Sequence, residues 1–116
     1  MDTNIAIPKA LGGSGDGTDP KELLVSAATT CYITTLAYLL ETRKIPVVEL
    51  TIHSDATISE QGFHINHHPQ INVSVDATEK QVQSAERAFD GADKSCDVGN
   101  LLKSGGVTIK VFGKVM

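Results

Sequence analysis

Asp19-Pro20-Lys21-Glu22, followed by apolar or small residues at Leu23, Leu24, Ala27, Ala28, Cys31, Tyr32, Leu36, Leu39 and Leu40, most narrows what this chain can become. Asp19 suits a helix N-cap, Pro20 the first helical position, and Glu22 the third position of a capping box. The apolar spacing has a period near 3.6 and continues to about Thr42, stopping before Pro46. One long helix is predicted, with an apolar stripe that other parts of the fold must cover. The chain has 116 residues, enough for one core and too few for two. Residues 1–116 therefore read as a single domain.

After the helix the period changes. Val47 to Ser59 alternates and is rich in β-branched residues, which predicts a strand. Gln61-Gly62 reads as a turn, and Phe63 to Val75 as a hairpin partner interrupted near Pro69. Asp76 to Asp90 reads as a second helix, with Thr78 and Gln81 as its capping box and Gly91 as its stop. Ser95 to Leu102 is a turn or short helix, and Val107 to Phe112 a closing strand. Upstream, Asn4 to Pro8 is a short extended candidate, and residues 12–17 form a glycine-rich loop. That loop lacks the Lys-Ser/Thr pair of a phosphate-binding loop, so no nucleotide cofactor is expected. The fold class is α+β.

Charge and hydropathy exclude some partners. The net charge is −4 and the basic residues are scattered, whereas nucleic-acid binding needs a clustered basic face. The apolar runs are broken short of the roughly 20 residues of a membrane span, so no membrane partner is expected. No basic segment leads into an apolar one at the start, which gives cytoplasm as the expected compartment.

The cysteines carry the chemistry. Cys31 and Cys96 are too far apart in sequence for a CxxC pair and two short of a Cys-only zinc site. They are either two buried bystanders or a reactive pair assembled by the fold. Cys31 lies beside the small residues Ser26-Ala27-Ala28-Thr29-Thr30, and Cys96 opens a helix-like turn whose N–H groups favour a thiolate. His64, His67 and His68 invite a metal reading, but in a strand His64 and His68 share a face while His67 points away. Solvated strand residues account for them, and His53 stands alone. No cofactor and no metal are expected.

Gly17-Thr18-Asp19-Pro20-Lys21-Glu22-Leu23-Leu24, followed by Cys31, resembles the G-T-N-P-E-x-L segment before the reactive cysteine of the OsmC/Ohr family, the osmotically inducible protein C and organic hydroperoxide resistance proteins. Ala92-Asp93-Lys94-Ser95-Cys96-Asp97-Val98-Gly99-Asn100-Leu101-Leu102 resembles that family's second cysteine segment, C-P-x-S-N, and Ile5 to Gly17 is similar to its approach to the first helix. The resemblance implies an antiparallel sheet packed on a long central helix and a second helix, assembled as an intertwined homodimer. It implies a thiol peroxidase reducing organic or lipid hydroperoxides in oxidative stress defence. Cys31 would be the peroxidatic thiolate and Cys96 the resolving thiol, close enough to form a disulfide. A dithiol, a dihydrolipoyl group in several members, would be the reductant.

The family's thiolate-stabilising arginine, carried on an upstream strand pair, has no match among Arg43 and Arg87, and its partner glutamate falls at Lys21. Cys31 is also too far along its helix for the helix dipole to act on it. An activating cation must then come from another segment or subunit, with Lys94 and a partner chain's Lys21 as candidates. Two other readings remain at this point: a relative using the same thiols for redox sensing, and a non-enzymatic ligand-binding subunit.

Overall fold

The computed structural model describes residues 19–116. The extended candidate Asn4 to Pro8 and the glycine loop lie outside the described residues. Helix α1 spans Pro20–Thr42, strands β1 and β2 span Val47–Ser59 and Gly62–Val73, helices α2 and α3 span Glu79–Ser95 and Asp97–Ser104, and strands β3 and β4 span Thr108–Val111 and Lys114–Val115.

Asp19 caps α1 as its side chain predicts, with Oδ1 accepting the Glu22 N–H at 2.8 Å, but the expected box is only half made, since the Glu22 side chain accepts nothing from Asp19 in return. The helix ends without a glycine. Lys44 takes a positive φ of 57°, its N–H reaches the Glu41 carbonyl at 3.0 Å, and the Ile45 N–H reaches Leu40 at 3.1 Å. This is a Schellman stop built on lysine. Ala28, Tyr32, Leu36 and Leu40, one row at i, i+4 spacing, are the buried residues of α1. Tyr32, Leu36 and Leu40 form the core cluster with Ile45, Ile71, Ala85, Ala88, Phe89, Ala92 and Cys96. Each buried leucine contributes about 1.5–3 kcal/mol. Leu23, Cys31 and Leu39 are half-buried, and Ala27 and Tyr38 are exposed, so the apolar stripe is wider than the described residues that pack on it. By length and composition alone α1, with mean hydropathy 1.6, is long and apolar enough to cross a membrane, contrary to the expectation from its interrupted runs. Here it serves as the core helix.

The hairpin forms in the expected place, one residue earlier at the turn: Ser59 pairs with Gly62, which has a φ of 113°. Pro69 does not interrupt β2, because it pairs directly with Ile52 of β1. The reason lies on the other edge. The His67 carbonyl accepts the Phe112 N–H at 2.9 Å and the Ile71 carbonyl accepts the Met116 N–H at 2.8 Å, so residues 67, 69 and 71 direct their backbone groups away from β1. The N–H that Pro69 lacks would point at the break between β3 and β4, where no strand hydrogen bond is lost. The expected closing strand forms as β3, a further short strand, β4, follows beyond Phe112-Gly113, and both run parallel to β2. The sheet is therefore antiparallel in its main hairpin and parallel in these two short additions.

Helix α2 starts at Glu79, not Asp76, on a reciprocal capping box between Thr78 and Gln81. It also runs through Gly91, which was expected to stop it. A Cβ at Gly91 would sit 3.4 Å from both Leu39 Cδ1 and Arg43 Nη2, so the glycine lets α2 lie close against α1. Arg43 donates from Nη1 to the Ser84 carbonyl at 2.9 Å and pins the same contact.

His67 also departs from the solvated reading: it is 1% exposed, stacks on Tyr32 at 5.0 Å between centroids, and Nδ1 lies 2.7 Å from Ser54 Oγ. Burial holds its pKa below the ordinary 6.5. The unfolded chain therefore takes up this proton first, and stability is lost as pH falls below about 6.5. The urea midpoint should drop between pH 6.5 and 5 with a slope of at most about 1.4 kcal/mol per pH unit from this group. A flat profile in wild type, or the same slope in His67→Gln, would contradict this assignment.

Candidate active site

Cys31 and Cys96 come together. Cys31 lies near the middle of α1, partly exposed, where Leu23, Ser26, Ala27, Thr30, Thr34 and Thr35 line an open groove of about 550 Å³. Small side chains there leave the sulfur reachable. Cys96 is the one residue between α2 and α3, 2% exposed, and Cys31 packs against the core cluster that contains it. Burial, then the Cys31 thiol, push the Cys96 pKa up to about 11, and the Asp93 carboxylate adds to the effect.

The expected helical turn after Cys96 is α3, and Cys96 is its N-cap. Its sulfur accepts the Gly99 N–H at 3.4 Å, which opposes but does not offset the upward pull on the pKa. A Cβ at Gly99 would lie 3.3 Å from that sulfur, so the glycine leaves it room. Two contacts tie α3 back to α2: Lys103 Nζ meets Asp93 Oδ1 at 2.9 Å, and Asn100 Nδ2 donates to the Lys94 carbonyl at 2.9 Å. The Asp93–Lys103 pair escaped the sequence reading because its members are ten residues apart on different helices, where no period links them. Asn100 was within the second cysteine segment, and only its partner was hidden.

Lys94 does not turn towards the thiols. It pairs with Asp90 one helical turn back at 2.9 Å, with both side chains in solvent, so within one chain it is not the activating cation. Lys21 lies in the first turn of α1, with Glu22, Val25 and Ser26, facing Ser54, Asp55 and Ala56 of β1 across a second groove. Ten residues of helix, about 15 Å, separate it from Cys31. Thr29 Oγ1, in α1 close to these grooves, is enclosed with no hydrogen-bond partner among the described residues.

The histidines do not converge. His68 Nε2 meets Asp55 at 3.0 Å on the outer sheet face, where its ring stacks between His53 and Phe112. His67 faces inward, as the strand period requires. Among the described residues no three His, Cys, Asp or Glu side chains are placed to hold a metal ion.

The site thus brings a half-exposed thiol on α1 near a buried one at the junction of α2 and α3. Residues 13–112 match the model of the OsmC family, described as OsmC-like protein, and the chain belongs to that family. It is 32% identical over 118 residues to the uncharacterized protein YmaD of Bacillus subtilis, covering 97% of this chain and 78% of that one. It is 29% identical over 98 residues to organic hydroperoxide resistance protein-like 2 of Staphylococcus epidermidis, covering 80% of this chain and 66% of that one. Among solved structures, an organic hydroperoxide resistance protein OsmC from Legionella pneumophila superposes with a TM-score of 0.69 at 20% identity. That match covers 100% of this chain and 82% of the other, and it establishes the shared α+β fold.

Proposed function

We propose that this protein is a thiol peroxidase that reduces organic hydroperoxides in oxidative stress defence. The meeting of Cys31 and Cys96 carries the reading, since bystander thiols have no reason to lie near each other. Family membership and the named hydroperoxide resistance relatives support it. The Cys31 thiolate attacks the distal peroxide oxygen. The O–O bond breaks, the alkoxide leaves and takes a proton to become the alcohol, and Cys31 becomes a sulfenic acid. Cys96 then attacks the Cys31 sulfur: the S–O bond breaks, the S–S bond forms, and the Cys96 proton leaves with hydroxide as water. An external dithiol reduces the disulfide.

The protonated state of Cys96 fits its part. At neutral pH it is a thiol, and it keeps its proton until the resolving step. With Lys94 committed to Asp90, the remaining candidate for a positive charge is Lys21 of a partner chain. A homodimer also accounts for the uncovered side of α1, including Tyr38 at 65% exposure. Such an interface would exceed a crystal-contact patch of under about 800 Å².

One sample tests both parts. After an equivalent of cumene hydroperoxide, intact mass should show the loss of two hydrogens, mapped to a Cys31–Cys96 disulfide, and sedimentation of the same protein at micromolar concentration should show a dimer. An unchanged mass would reject the peroxidase reading, and a monomer the assembly.

A further inference from the structure

We propose that Asn100 is a positioning residue for the resolving step, holding the Cys96 sulfur towards Cys31; the inference rests on the peroxidase reading above. Cys96 has φ −77° and ψ 109°, a single extended residue between two helices. The direction of its sulfur is therefore set by how α3 sits on the end of α2. Its sulfur accepts the Gly99 N–H on the α3 side, and Cys31 packs on the cluster from α1.

Asn100 spans this junction. Its amide donates to the Lys94 carbonyl, one of the last carbonyls of α2, which have no partner within their own helix. The bond thus closes the end of one helix with a side chain from the first turn of the next, around Cys96. The Asp93–Lys103 pair also spans the cysteine, but from a turn farther along α3, whereas Asn100 ties the first turn of α3 next to Cys96. Asn100 is exposed and outside the core cluster, so a residue there with no link to the thiols would be replaceable without kinetic effect. Losing its donor frees α3 to tilt, and Cys96 spends less time aligned with the sulfur it must attack.

Two steps can be timed separately with dithionitrobenzoate. The Cys31 thiolate attacks the reagent, one thionitrobenzoate leaves, and a mixed disulfide remains on Cys31. Cys96 then attacks the Cys31 sulfur and displaces the second thionitrobenzoate as it loses its proton. In Asn100→Ala the second release should be about fivefold slower, the loss of one hydrogen bond, with the first unchanged. Asn100→Asp keeps the shape but puts an acceptor against a carbonyl, and should be at least as slow. An unchanged second release in both variants overturns the proposal, as does equal slowing of both steps. If Asn100→Ala does not fold, the isosteric Asn100→Asp decides. Cumene hydroperoxide is added to wild type in parallel: no disulfide there rejects the peroxidase reading, while the thionitrobenzoate rates judge Asn100 independently.

Discussion

Cys31→Ser is expected to lower hydroperoxide consumption in the presence of dithiothreitol to the rate of dithiothreitol alone, whereas Cys96→Ser, treated with hydroperoxide and no dithiol, should oxidise once and then stall. A serine hydroxyl offers no sulfur to accept the peroxide oxygen, so the first step is lost outright. Cys96 cannot substitute for it. With a pKa of about 11, about one molecule in ten thousand carries that thiolate at pH 7, and its sulfur is 2% exposed. In Cys96→Ser the Cys31 sulfenic acid has no neighbouring thiol and should be trapped by dimedone. Retention of more than about a tenth of the wild-type rate in Cys31→Ser would show that Cys31 is not the thiol that reacts with peroxide.

Gly113→Ala should be the most damaging small substitution for stability, by about 3 kcal/mol, at the upper end of ordinary overpacking. A Cβ built on Gly113 would overlap atoms of the Phe89 ring. That ring cannot step aside cheaply: Phe89 is 8% exposed in the core, and its carbonyl accepts the Tyr32 hydroxyl at 3.0 Å. Gly113 does not adopt a positive φ, so the cost is crowding rather than backbone strain. Urea unfolding reads it, with Gly105→Ala at the exposed end of α3 expected to stay within about 0.5 kcal/mol. A comparable midpoint for the two variants would mean that the β3–β4 link yields.

Local chemistry was legible in the sequence wherever it decides structure. Asp19 and the Thr78–Gln81 pair are caps made by residues three apart, and both form. The hairpin follows from period two. What sequence could not reveal depended on tertiary neighbours. Gly91 looks like a helix stop until α1 is seen against it, and Pro69 looks like a strand break until its missing N–H is placed between two other strands. His67 reads as solvated because nothing nearby in sequence says that Tyr32 will stack on it. At the site, the thiol pairing followed from two segments in a recognisable order. The fate of Lys94 did not, since Asp90 lies on the same helix but only the fold decides which way the lysine turns.

The arrangement of partners around β2 has a consequence for the order of assembly. β1 meets β2 across a two-residue connection, so that pairing closes a very small loop and can form early. The strands on the other edge arrive only after the chain has travelled through α2 and α3, and their pairing must bear the closure entropy of that whole excursion. The thiol pair is subject to the same delay, because Cys96 is carried on the excursion while Cys31 waits on the first helix. A nascent chain therefore presents Cys31 to its surroundings well before Cys96 is in place to answer it.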